Sequence, residues 1–156
     1  MTTAKSQSQH PLIRQVAAQI PMLAYLQPEI AHIDSRSCTV ILPLNEKSRN
    51  HLNCMYFGAL AAGADCAGGL MALAAIQKTN QKVDLIFKDF KADFLKRAEG
   101  DVHFTCSQGE AIINLVAKAV ASGERVFLPL HVQATVPSLS PDPAAVFTLT
   151  LSLKKR

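Results

Sequence analysis

The sequence contains no tryptophan, two tyrosines and only 6% aromatic residues. Proteins that bind single-stranded nucleic acid stack bases on aromatic side chains along a basic groove. No basic stretch with interspersed aromatic residues occurs here. Three of the positive charges behind the net charge of +4 belong to Lys154, Lys155 and Arg156 at the C-terminus. We therefore expect no nucleic-acid partner.

Low-complexity stretches are also lacking. The hydrophobic fraction of 49% and the charged fraction of 18% are typical of a compact globular protein, and 156 residues is about the length of one domain. We expect a single domain spanning residues 1–156, with flexible ends at residues 1–10 and 154–156.

The N-terminal segment has no apolar stretch of the kind found in secretory signals, because "MTTAKSQSQHPLIRQ" is polar. The four cysteines, Cys38, Cys54, Cys66 and Cys106, are irregularly spaced. Irregular cysteines without a secretion signal favour free thiols in a reducing compartment. We expect a cytoplasmic protein.

The apolar pattern predicts an α+β fold with about five mostly antiparallel strands. Alternating residues predict strands at 37–44, 82–95, 101–107, 125–136 and 145–153, and helical spacing predicts helices at 11–26 (interrupted by Pro21), 57–77 and near 109–122. For the last helix, Ser107 and Glu110 have the spacing of a capping box and Gly123 marks the end. A polar loop at 45–53 precedes the long helix.

The segment Phe57–Gln77 is apolar over a length that could cross a bilayer. Against a membrane span stand a single charge near its middle, Asp65, and four glycines. The strands around it would also lack a core without this segment. We therefore expect a buried helix and no membrane span.

Small residues recur along this helix at intervals of three and four: Gly58, Ala61, Ala62, Asp65, Gly68, Gly69 and Ala72. Such spacing predicts one helix face that another element can approach closely. No Lys or Arg stands three or four residues away from Asp65 to pair with it. A carboxylate on such a face is a candidate general base or nucleophile, because partial burial raises its pKa.

These residues resemble the hotdog-fold acyl-CoA thioesterases, in particular the phenylacetyl-CoA thioesterase-like branch. In that branch an Asn is followed six positions later by the His of a His-Gly-Gly turn that opens a long helix, with an acidic residue seven positions after the second Gly. Here Asn50, Tyr56-Phe57-Gly58 and Asp65 occupy the matching positions. Tyr56 and Phe57 replace His and the first Gly, as in a thioesterase-like side branch that reads "YFGAL" followed by "GAD".

The resemblance implies a hotdog fold, in which an antiparallel sheet wraps around the central helix at about 57–77, with an N-terminal helix and an extra helix near 109–122. It implies hydrolysis of an acyl thioester of coenzyme A or of acyl carrier protein. Catalysis is then assigned to Asp65 as base or nucleophile, to Asn50, and to the helix start at Gly58 as oxyanion hole.

The resemblance places Tyr56, Phe57 and Asn53 in the substrate site. The sequence also leaves open a rim role in binding the phosphates of coenzyme A for Lys88, Lys91, Lys96 or Arg97, of which Lys88 is assigned to the site. The resemblance implies no metal and no cofactor other than the coenzyme A of the substrate.

One helix cannot easily bring Gly58 and Asp65 to the same carbonyl, because seven residues span about 10 Å along the axis. Two antiparallel copies in a dimer could bring Gly58 of one chain near Asp65 of the other. The family builds its sites between subunits, so we expect a homodimer, with a dimer of dimers as the larger assembly.

Other functions remain open from the sequence. The chain could bind acyl-CoA or a fatty acyl group without hydrolysing it, or act as a hydratase on the same fold, although no Asp-His pair suits the latter. His51 and Cys54, like His103 and Cys106, have a spacing found in metal sites. His103 and Cys106 lie in a predicted strand, however, where residues three apart face opposite sides. Cys54 or Cys66 could serve as a thiol nucleophile, whereas cysteines beside apolar helices are usually small buried side chains.

Overall fold

The structure is a computed structural model that describes residues 9–156. Most of the N-terminal segment expected to be flexible, residues 1–8, lies outside the described residues. The helices are α1 (Pro11–Gln19), α2 (Pro21–Leu26), α3 (Phe57–Gln77) and α4 (Gly109–Ser122), and the strands are β1 (Glu29–Ile33), β2 (Cys38–Leu42), β3 (Val83–Phe94), β4 (Val102–Cys106), β5 (Val126–Thr135) and β6 (Pro143–Lys155).

The strands form one antiparallel sheet in the order β1-β2-β4-β5-β6-β3, which wraps around α3. The inward side chains of β5 and β6 alternate as predicted, and those of Leu130, Leu149 and Leu151 are fully buried. Because α3 is apolar on nearly all sides, it is stable only when surrounded by other elements. The predicted hotdog architecture with its long central helix is confirmed.

The sheet adds two details to the predicted pattern. It has six strands where about five were expected, because β1 was missed: "EIAHI" is short, mostly exposed and interrupted by a bulge between Ile30 and His32. At the C-terminal end, Lys154 and Lys155 pair with Asp84 and Val83 on β3. Exposed edge strands carry little periodic signal, and charged side chains are common on them.

The helical segments follow the prediction closely. Pro21 separates α1 from α2, and α4 ends at Gly123, whose φ of 68° is left-handed. The predicted capping box at the start of α4 is wrong. Gln108 is the N-cap residue, and its side chain instead bridges to β5, donating to the Pro129 carbonyl oxygen and accepting from the His131 N–H. A tertiary contact thus replaces a local one.

Close packing explains the glycines of α3. A Cβ on Gly63 would overlap the ring of Phe104, which is completely buried, and a Cβ on Gly68 would lie 2.8 Å from Leu130 Cδ1. A Cβ on Gly69 would make only ordinary contacts, with its nearest neighbour at 3.6 Å. The sheet therefore reaches the helix backbone at Gly63 and Gly68 but not at Gly69.

We predict opposite effects for two Gly→Ala substitutions on α3. Gly63→Ala should lower the free energy of unfolding by about 1–3 kcal/mol, because Phe104 must move within a packed core. Gly69→Ala should leave it unchanged or raise it by up to about 1 kcal/mol, because alanine favours the helix. Denaturant unfolding measures both. Equal destabilisation by the two changes would contradict the packing described above.

Candidate functional site

One stripe of α3 remains partly exposed while the other sides of the helix are buried. It consists of Gly58, Ala61, Ala62, Asp65, Gly69 and Leu73. The predicted small-residue face is therefore confirmed for most of its members, whereas Gly68 and Ala72 are buried and lie outside the stripe. The stripe has no bulky side chain before Leu73, so a second element could approach the helix backbone there.

Asp65 lines an apolar cavity of about 150 Å³ between α1, α2, α3 and the start of β3. The other wall residues are Val16, Gln19, Ile20, Leu23, Cys66, Gly69, Leu70, Leu73 and Leu85. Asp65 is the only charged residue among those described residues that line it. An apolar cavity with one polar group at a defined place is the usual form of a small-molecule site.

Burial raises the pKa of the Asp65 carboxyl group above its ordinary value of 3.8. No side chain within residues 9–156 forms an ion pair with it, and desolvation is the only cause of the shift. Burial therefore destabilises the ionised carboxylate, and no charged side chain within residues 9–156 compensates for this loss of solvation. A carboxylate with a raised pKa in a cleft is a candidate for acid-base chemistry.

The raised pKa predicts a pH-dependent effect of Asp65→Asn on stability. Because the folded protein binds more protons than the unfolded chain between 3.8 and the raised pKa, wild-type stability falls as the pH rises through that interval. Asp65→Asn should therefore raise the Tm at pH 7, and this gain should vanish below pH 3.8.

Glu124→Gln, which alters an exposed carboxylate after α4, is the control. Thermal scans at equal protein concentration would measure both variants across the pH range. If Asp65→Asn lowered the Tm at neutral pH, Asp65 would have a structural partner and would not be an unpaired carboxylate.

Four other predicted site residues, Asn50, Tyr56, Phe57 and Gly58, lie at or just before the start of α3. Tyr56 is the N-cap residue, and its side chain makes no capping hydrogen bond. Its ring packs against Gly58 so closely that a Cβ on Gly58 would lie 2.6 Å from Tyr56 Cε1. Asn50 holds the preceding loop, since its Oδ1 accepts from the N–H groups of Leu52 and Cys54. This binding leaves the Asn50 Nδ2 group available to a ligand.

A second cavity of about 570 Å³ opens at this end of the helix. Its walls include Asn50, Tyr56 and Phe57 together with two cations, Lys96 and Arg97. The remaining wall residues are His51, Cys54, Met55, Leu60, Phe94, Leu95 and Ala98. Within one chain, Asp65 lines the first cavity and Asn50 the second, so the predicted catalytic groups do not share a cavity.

Two predicted substrate-binding residues lie away from both cavities. Asn53 adopts a left-handed conformation with φ of 58°, which Asn tolerates better than most residues, so its evident role is to form the turn. Lys88 extends over the ring of Phe127, 4.8 Å from its centroid, on the outer face of the sheet. Beside it, Asp89 occupies a bulge and accepts from the Thr150 N–H of β6.

The structure also places the cysteines and the histidines that were considered for thiol or metal chemistry. All four cysteines are buried free thiols. The pKa of the Cys66 thiol is raised mainly by burial, and the negative charge of Asp65 raises it further. A raised pKa disfavours the reactive thiolate. No group of three or more His, Cys, Asp or Glu side chains in residues 9–156 is placed to hold a metal ion.

By length and composition α3 could cross a membrane, but 61% of its apolar window is buried inside the protein. The helix is the core helix of the domain, and most of its apolar surface is covered by the sheet and by the other helices.

Sequence patterns missed several residues of the two cavities. One wall of the Asp65 cavity is formed by Val16 on α1, Leu23 on α2 and Ile20 at the bend between the two helices. Their helical spacing was visible, but nothing in the pattern indicated that this face would pack beside Asp65. Lys96 and Arg97 were two of the four cations considered for a rim role, and the tertiary fold decides that these two line the cavity at the start of α3.

The structure resembles those of several bacterial proteins. A protein of unknown function from Chlorobaculum tepidum TLS has a TM-score of 0.81 at 17% identity, over 93% of this chain and 93% of that chain. A Pseudomonas aeruginosa protein described as a "Probable Thioesterase" has a TM-score of 0.77 at 20% identity, over 93% and 94% of the two chains. A thioesterase from Haemophilus influenzae has a TM-score of 0.66 at 15% identity, over 90% and 87%.

At these identities the similarity establishes the fold, not the activity. No curated protein matches the sequence. Residues 9–142 do match a family defined from sequence, which is described as "Domain of unknown function (DUF4442)". The chain therefore belongs to the DUF4442 family, and it has a hotdog fold shared with bacterial proteins of which some are named as thioesterases.

Proposed function

We propose that this protein is a thioesterase that hydrolyses acyl thioesters of coenzyme A or of acyl carrier protein. The observation that carries the proposal is the unpaired Asp65 carboxylate in the wall of an apolar cavity. The fold shared with proteins named as thioesterases supports it. The assignment to the phenylacetyl-CoA thioesterase-like branch and to its "YFGAL" side branch, and a cytoplasmic location, are part of the same proposal.

In this mechanism Asp65 removes a proton from the attacking water, or attacks the thioester carbonyl directly to form an anhydride. Its burial suits the first role, because a base with a raised pKa holds the proton more strongly. The chemistry needs no metal or redox cofactor, since the carboxylate supplies the base and coenzyme A is the leaving group.

The start of α3 can stabilise the oxyanion. The Leu60 N–H bonds to the Tyr56 carbonyl, so the N–H groups of Phe57, Gly58 and Ala59 precede the first helical hydrogen bond. They lie at the positive end of the helix dipole, which favours a developing negative charge. Asn50 stands beside them and could orient the carbonyl or the water through Nδ2.

Such a site requires two chains, because Asp65 and the start of α3 are about 10 Å apart along one helix. Strand β3 is twelve residues long, pairs with β6 alone among the strands of residues 9–156, and carries exposed apolar side chains at Ile86, Phe90 and Phe94. A long apolar edge strand is prone to pair with another chain. We propose a homodimer through this edge and the small-residue stripe, with a dimer of dimers as the larger assembly.

Lys96 and Arg97 would bind the phosphate groups of the substrate at the second cavity. Tyr56 and Phe57 would line the path of the thioester, whereas Lys88 would act at most at the rim of an assembled dimer.

Replacing the carboxylate tests the proposal. Asp65→Asn should lower kcat/KM for acyl-CoA hydrolysis about 10²- to 10⁴-fold, because a general base contributes a factor of this size. The Asp65→Asn variant should keep the oligomeric state of the wild-type protein. Release of free thiol from an acyl-CoA panel measures the rate, and light scattering measures the mass, with Glu124→Gln as the control. Full activity in Asp65→Asn would remove the proposed base.

A complementation experiment tests the shared site. Asp65→Asn and Gly58→Val chains, each inactive, would be co-expressed with different tags, and the mixed dimer purified. If each site combines Gly58 of one chain with Asp65 of the other, one of the two symmetric sites is intact and the dimer should have roughly half the wild-type activity. If both residues act within one chain, the mixed dimer should be inactive.

A non-catalytic acyl-CoA or fatty-acyl binding protein is the second candidate. One observation favours it: the Tyr56 ring covers the Gly58 position where the family's His-Gly-Gly turn leaves the backbone open. Under this alternative, wild type would be thermally stabilised by acyl-CoA but would hydrolyse none of the panel.

A further inference from the structure

The Asp65 cavity differs in character from the cavity at the start of α3. It measures about 150 Å³, and apart from Asp65 and Gln19 its wall is made of apolar and small residues. The second cavity measures about 570 Å³ and contains Lys96 and Arg97. A polyanion such as the nucleotide end of coenzyme A would be repelled by Asp65 and attracted by the two cations.

Size separates the two cavities as well. An apolar cavity of about 150 Å³ holds a benzene-sized group, or about six carbon atoms. The cavity is therefore too small for coenzyme A, and its apolar wall suits a short hydrocarbon. A thioester whose carbonyl lies beside Asp65 can place only its acyl group here.

We propose that this cavity receives the acyl group and limits the substrate to acyl chains of about six carbon atoms. This inference rests on the proposed thioesterase function and adds its substrate class. The residues that determine chain length are then those of the cavity wall: Val16, Ile20 and Leu23 on the N-terminal helices, Gly69 and Leu73 on α3, and Leu85 on β3.

The N-terminal helices have a specific part in this arrangement. Val16 is half-buried against the core and Leu23 is buried, so both are held in fixed positions opposite α3. Ile20 lies at the bend between α1 and α2 and is 43% exposed. Substitutions of cavity residues on α3 therefore change the volume of the cavity without replacing any residue of the N-terminal helices.

Two variants change the volume in opposite directions. Leu73→Ala removes three carbon atoms from the partly exposed stripe and enlarges the cavity. Gly69→Ala adds a methyl group 3.6 Å from Asp65 Oδ1 without a clash and narrows it. Met22→Ala is the matched control, because Met22 is an exposed apolar residue on α2 and lines neither cavity.

The experiment measures kcat/KM for straight-chain acyl-CoA substrates from butanoyl to dodecanoyl. For wild type we expect an increase of about fourfold per methylene group while the chain fills the cavity, and then a maximum near hexanoyl. Leu73→Ala should move the maximum to longer chains by two or three carbons. Gly69→Ala should move it to shorter chains, and Met22→Ala should leave it in place.

The same series, measured as thermal stabilisation of Asp65→Asn by each acyl-CoA, separates this inference from the proposed function. If wild type hydrolyses nothing but stabilisation peaks near hexanoyl and moves in an Asp65→Asn/Leu73→Ala double variant, the hydrolase proposal fails and the cavity assignment stands. If hydrolysis depends on Asp65 but neither cavity variant moves the maximum, the cavity assignment is overturned. An absence of both hydrolysis and stabilisation also overturns it.

Discussion

The close approach of the sheet to the backbone of α3 is the constraint on which the rest of the structure depends. The rings and methyl groups of Phe104 and Leu130 occupy the space beside Gly63 and Gly68, so the helix can lie deep in the sheet only where side chains are absent. Glycine lowers helix propensity by up to about 1 kcal/mol, and the burial of an apolar helix and sheet face compensates for it. The strands then curve around one helix, as in the hotdog fold.

The same packing leaves one stripe of α3 partly uncovered, and the candidate site lies there. Small residues before Leu73 keep the stripe open, and Asp65 lies in it beside an apolar cavity whose other walls come from the N-terminal helices. The desolvated carboxylate destabilises the fold when ionised. Strand β3, whose Leu85 lines the same cavity, is the last strand of the sheet within residues 9–156.

Periodicity predicted the elements that are strongly amphipathic or wholly apolar. Helix α3 was predicted with its observed bounds, because an apolar run of this length can only be buried or membrane-spanning. Strand β1 was missed since its side chains are mostly exposed, and the cap of α4 was mispredicted because Gln108 bonds to β5 instead of to its own helix. Lys88 was assigned to the site as one of several cations that could bind phosphate, and in the structure it lies over the ring of Phe127 beside a bulge of β3.

The amino-acid pattern therefore determined the fold class, the core helix and the identity of Asp65 as an unusual carboxylate, since each follows from local spacing and composition. Tertiary structure decided which groups stand together. It placed Asp65 and Asn50 in different cavities, packed the N-terminal helices beside the carboxylate, and brought Lys96 and Arg97 to the opposite cavity. These placements depend on contacts between segments far apart in the chain, and side-chain spacing within one segment contains no information about them.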